Sequence, residues 1–115
     1  MSLSKKQREF TKCVGKLIEF AYSKNYELTL GDAFRDERVH GKWGIKESYS
    51  AGKSCHKVRL AIDFNLFVQG AYVSDGAHPA WKVLGEYWES LNADARHGGR
   101  FDDSNHLSFE YEGVM

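Results

Sequence analysis

The stretch Leu60-Ala-Ile-Asp63-Phe-Asn-Leu-Phe67 decides how the chain is read. It is an apolar run of strand length, broken only by Asp63 and Asn65, and it reads as a strand with a buried face. A carboxylate inside such a strand is costly unless it is paired or bound to a metal. Gln69-Gly70 comes next, a turn pair, and Ala71 to Val73 then return as a short strand to make a hairpin. Upstream, Tyr26-Glu-Leu-Thr-Leu30 alternates apolar and polar residues, and Leu107-Ser-Phe-Glu-Tyr111 does so downstream.

Two helical patterns flank these strands. Phe10, Val14, Leu17, Ile18 and Ala21 recur at helical spacing with Cys13 on the same stripe, so residues 4–23 read as an amphipathic helix. Ser4 followed by Gln7 has the form of a capping box at its start. Pro79 suits a first helical turn, and Trp81, Leu84, Trp88 and Leu91 mark one face of a second helix. Residues 40–54, with three glycines among small polar residues, read as a long loop, a kind that often carries function. Residues 92–105, rich in Gly, Asp and Asn, read as another. The expectation is a small α+β domain with a central antiparallel sheet flanked by helices.

Composition sets limits on partners. The 115 residues suit one domain, which should bury roughly two-thirds of its unfolded surface. Sixteen basic and sixteen acidic side chains cancel, leaving no electrostatic footprint for nucleic acid or an anionic membrane. No run approaches the ~20 apolar residues that span a bilayer. Two cysteines, Cys13 and Cys55, are too few for a disulfide scaffold and read as reduced packing residues. The N-terminus lacks the apolar core of a secretory signal, so synthesis in the cytoplasm is expected.

The chemistry-bearing residues cluster twice, in Ser54-Cys-His56-Lys-Val-Arg-Leu-Ala-Ile-Asp63 and in Phe101-Asp-Asp103-Ser-Asn-His106. His56, Asp63 and His106 offer the three nitrogen and oxygen ligands of a catalytic zinc site with one open position. His56 and Asp63 would lie on opposite faces of one continuous strand. They converge only if His56 belongs to the preceding loop. On residues alone two readings stand: a metal site, or a surface histidine beside a salt-bridged aspartate.

The pattern Ser54-x-His56-x4-Ala61-x-Asp63, with Asp103-x-x-His106 downstream, resembles the paired zinc motifs of the D-alanyl-D-alanine carboxypeptidase family of metallopeptidases. Within it the chain is most similar to small phage endolysins of the L-alanyl-D-glutamate peptidase type. The likeness runs from Phe34-Arg35 to His106 and takes in Leu84-Gly-Glu-Tyr-Trp-Glu-Ser-Leu91 and Gly98-Gly99-Arg-Phe101. It implies the fold shared by these peptidases and the hedgehog signalling proteins. It implies one Zn2+ held by His56, Asp63 and His106, and Asp103 as general base, with Asp102 a turn former. It implies Arg35 on the substrate and the oxyanion, and Ser54 either on the substrate or bracing the His56 loop; His97, which departs from the pattern, is a candidate supporting or substrate-binding residue or else a solvent-exposed loop histidine.

By the same resemblance the substrate is the peptide stem of bacterial peptidoglycan, cut between L-alanine and D-glutamate. Removal of a terminal D-alanine, or zinc binding without catalysis, are the alternatives. A monomer of one catalytic domain over 1–115 is expected, without a separate wall-binding domain, acting on the cell wall after release. The chain departs from the family pattern at three positions. Arg59 stands where Gly is common, His97 where an aromatic is common, and the base is Asp rather than Glu. His40 and His78 read as ordinary surface histidines, and Cys55 as a packing residue rather than a nucleophile.

Overall fold

The first helix shows how the apolar stripe builds the core. In a computed structural model that describes residues 2–33 and 55–115, α1 spans Leu3–Ser23 and buries Phe10, Cys13, Leu17 and Ala21, the steps of three and four expected of one helical face. Its start differs from the sequence expectation. Ser2, not Ser4, is the cap, its hydroxyl accepting the Lys5 N–H at 3.1 Å. Gln7 is drawn away from the cap because its amide donates to the Val58 carbonyl at 2.8 Å. That bond ties α1 to the turn that carries His56.

The strands are β1 (Tyr26–Leu30), β2 (Ala61–Val68), β3 (Ala71–Tyr72), β4 (Ala95–His97) and β5 (His106–Phe109), and all their pairings are antiparallel. Their order is β1-β2-β5-β4, with β3 paired to the end of β2. The β2–β3 hairpin turns through Gln69 and Gly70, both with positive φ (53° and 78°), which matches strand twist and is easy for glycine. Residues 92–105, expected as a loop, contain β4 and a 3-10 turn over Gly98–Phe101. Three residues are too few to show alternation; β4 exists through its pairing with β5 and through Glu89, whose carboxylate accepts the His97 N–H at 2.8 Å.

The second helix, α2, spans Pro79–Ser90 and buries Ala80, Trp81, Leu84, Gly85 and Trp88. His78 caps it, Nδ1 accepting the Ala80 N–H at 3.0 Å, a structural duty for a residue that reads as ordinary surface. Phe10 meets Trp88 and Phe109 edge-on, with ring centroids 5.5 and 5.3 Å away. The Trp88 indole N–H lies 3.1 Å from the carbonyls of both Arg96 and Ser108, so the largest core side chain also satisfies its polar atom. The result is a small compact α+β domain: among the described residues, two helices pack on a five-stranded antiparallel sheet. No described helix is long and apolar enough to cross a membrane.

Candidate metal centre

The centre is assembled from three elements at one end of β2. Asp63 is its third residue and pairs in register with His106, the first residue of β5, so their side chains share a face of the sheet. His56 reaches the same place from a 3-10 turn, Cys55–Val58, before the strand begins. This is the loop placement that convergence requires. The turn closes through Arg59, whose φ of 56° lies in the left-handed region that glycine enters most easily. Leu60 N–H then bonds back to the Cys55 carbonyl at 2.9 Å, and β2 starts.

Donor atoms of His56, Asp63 and His106 lie within 4.8 Å of one another. Asp63 Oδ1 is 3.3 Å from His56 Nε2 and 3.2 Å from His106 Nδ1. Two donors held about 2.1 Å from a tetrahedral zinc would be about 3.4 Å apart, so these separations fit one ion. The rings' remaining nitrogens face backbone carbonyls: His56 Nδ1 meets Ala33 O at 3.0 Å and His106 Nε2 meets Met115 O at 3.3 Å. A carbonyl only accepts, so those nitrogens carry the N–H, and the lone pairs of neutral rings turn toward Asp63. Two lone pairs aimed at a carboxylate form an arrangement that a cation stabilises.

Asp63 supplies the negative charge. Burial opposes its ionisation, but the His106 and His56 side chains set against it outweigh that and hold the carboxyl well below the usual carboxylate range. Both histidines are buried, at 1% and 7% exposure, so Asp63 meets imidazoles already fixed by their surroundings.

Asp103 sits three residues before His106 in a tight turn. Its N–H donates to Gly98 O at 2.9 Å, and its carbonyl accepts the His106 N–H at 3.0 Å. Gly98 is required for that approach, because a Cβ there would lie 2.1 Å from Asp103 O and 2.8 Å from His106 Cβ. Asp103 is exposed and lines the adjoining cleft; the three ligands converge without it. Asp102 adopts φ 60° and ends the 3-10 turn, which is a turn former's position.

His97 is not one of the three residues whose donor atoms converge. Its Nε2 lies 2.7 Å from Ser104 O, and its ring packs against Gly85 and near-parallel to Trp81. It braces the segment that carries Asp103 and His106. The Cys55 thiol is buried, contacts the carbonyls of Val114 and Phe109 at 3.2 and 3.5 Å, and is pushed up by burial to about 11. It therefore stays protonated and packs, as the sequence suggests. Arg35 and Ser54 lie outside the described residues, as does the whole of 40–54, expected as a loop, with His40. The supports that sequence reasoning misses are Ala33 O and Met115 O; a backbone carbonyl leaves no signal in residue identity. No known protein-family model matches the chain, and no curated protein does either.

Proposed function

We propose that the protein is a zinc-dependent peptidase of bacterial peptidoglycan that hydrolyses the L-alanyl-D-glutamate bond of the stem peptide. The observation that carries this reading is the convergence of His56, Asp63 and His106 at zinc-ligand separations, from the two motifs on which the family resemblance rests. These three residues would hold the ion. Bound there, zinc would supply a Lewis acid that polarises the scissile carbonyl and acidifies a water molecule.

The remaining work falls to the chain's own groups. Asp103 takes the proton of the attacking water and returns it to the leaving amine, a role supported by its place on the cleft beside β2. Arg35, assigned through the resemblance, steadies the oxyanion with a guanidinium that keeps its charge and donates two parallel hydrogen bonds. Ser54 contacts the substrate on the same warrant. His97, whose ring lies on Ser104 and α2, contributes by holding the Asp103 turn in place.

Digestion of purified muropeptides tests the reading. Asp103→Asn should abolish cleavage with one zinc retained per chain, while Asp102→Asn keeps it. Equal losses from both would remove Asp103 from its role, and cleavage that survives chelation would remove the metal. Release of terminal D-alanine would assign the carboxypeptidase reaction instead. No turnover by the zinc-loaded chain on any muropeptide would leave a binding module.

A further inference from the structure

Beyond β5 the chain turns back toward the metal centre. Glu110 is fixed from three sides. Its N–H donates to Asp94 O at 2.8 Å, its carboxylate meets Arg96 at 3.4 Å, and its carbonyl accepts the Lys6 ammonium of α1. Tyr111 and Val114 then pair as an isolated antiparallel bridge, with N–H to carbonyl distances of 2.8 and 2.9 Å in the two directions. Glu112 and Gly113 make the turn between them with φ of 49° and 78°, the positive angles of the tightest hairpin turns. They nearly repeat the 53° and 78° of Gln69 and Gly70 between β2 and β3.

The turn sends one carbonyl to each metal motif. Val114 O, which accepts the Tyr111 N–H, also lies 3.2 Å from the Cys55 thiol, one residue before His56. Met115 O lies 3.3 Å from Nε2 of His106, whose Nδ1 is the nitrogen set against Asp63. A hydrogen bond on the far nitrogen of a ligating imidazole orients the ring and raises its basicity, and a buried N–H deprived of its acceptor costs free energy. We propose that the Glu112-Gly113 turn is a clasp that positions the metal ligands, aiming Met115 O at His106 and Val114 O at the segment that carries His56. Gly113 is its positioning residue. Glycine enters φ 78° without strain and a β-branched residue does not. A Cβ there meets nothing within 4 Å, so a substitution acts through the backbone. A turn that ligates nothing thereby sets part of the affinity of the centre. The inference rests on the metal centre of the peptidase reading and not on the bond that is cut.

Gly70 supplies the control. It has the same φ of 78°, a Cβ there also meets nothing within 4 Å, and its turn lies at the far end of β2 from Asp63. Zinc affinity of the full chain is measured by competition with a chromophoric chelator, beside urea stability and the His106 imidazole N–H signal of the zinc-loaded protein by NMR. Gly113→Val should weaken zinc at least about tenfold and lose the exchange-protected imidazole signal. Gly70→Val should keep that signal and hold zinc within about twofold, at a comparable loss of stability. Gly113→Asn, which tolerates the left-handed region, should return most of the lost affinity. Val114→Pro, which removes the N–H that closes the turn, should repeat the Gly113→Val loss. Zinc affinities of Gly113→Val and Val114→Pro no weaker than that of Gly70→Val overturn the clasp. Muropeptide cleavage is scored separately. Zinc weakened by Gly113→Val, with no cleavage by the unaltered chain, sinks the peptidase reading and keeps the clasp. Cleavage by the unaltered chain, with zinc affinity unmoved by Gly113→Val and Val114→Pro, does the reverse.

Discussion

His97 and His106 stand on neighbouring strands, β4 and β5, and each rests Nε2 against a backbone carbonyl, Ser104 O at 2.7 Å and Met115 O at 3.3 Å. What separates them is the other ring nitrogen. Nδ1 of His106 faces Asp63 Oδ1 at 3.2 Å, whereas Nδ1 of His97 is pressed against Gly85 of α2, where a Cβ would come within 2.1 Å. One imidazole ends on a charge and can serve a metal. The other ends on a helix backbone and braces it. The same side chain takes either duty according to what its second nitrogen meets.

The largest effect that sharpens this contrast is on metal binding. His106→Ala or His56→Ala should weaken zinc at least about 100-fold, measured by competition with a chromophoric chelator, because each removes a ligand. His97→Ala should keep zinc affinity within about tenfold and instead lose about 1–3 kcal/mol of stability in urea. Equal zinc losses from both strands would erase the distinction.

The next test acts on the bracing side. Gly85→Ala would gain about 1 kcal/mol in an open helix, but here the new methyl meets the His97 ring at an overpacking cost of about 1–3 kcal/mol, so the net expectation is a loss of up to about 2 kcal/mol. A stabilised Gly85→Ala variant in thermal melts would show that His97 is not packed on α2 as described.

An effect of similar size concerns the thiol beside His56. Cys55 is raised by burial from an ordinary thiol value of 9.0 to about 11 in the fold. A raised value means that the stability it contributes is complete below the unfolded value and is lost as pH climbs through the folded one. Urea stability should therefore fall by about 2 kcal/mol between pH 9 and 11, and Cys55→Ala should flatten that decline. An unchanged slope would mean that the thiol is not sealed behind the metal centre. The smallest effect is at the helix start: Ser2→Ala should cost about 0.5–1 kcal/mol and Ser4→Ala almost nothing, read from paired melts.

Much of this molecule is legible before any coordinates. The stripe from Phe10 to Ala21 specifies α1 because the helical period forces those residues onto one side. The Gln69-Gly70 pair marks a hairpin because Gly70 enters the positive φ that the turn needs at no steric cost, and the pairing on either side carries Gln69 into it. Asp63 stands out because a charge within an apolar strand needs a partner. By contrast β4 was hidden, since three residues, Ala95 to His97, carry no period and are made a strand only by β5. The cap moved from Ser4 to Ser2 because Gln7 found a distant carbonyl, Val58 O, that no local pattern could reveal.

The sequence by itself determined which residues are able to act: two imidazoles and a carboxylate at motif spacing, an aspartate three before the last histidine, and strands and helices whose periods declare their buried faces. Tertiary structure alone decided which of the histidines meet a charge, which nitrogen each presents, and where β2 exchanges β5 for β3. The physical reason is that residue identity and period are local, fixed by side-chain chemistry and backbone geometry. The aim of a ring nitrogen and the partner of a strand edge depend on carbonyls and strands brought in from far along the chain.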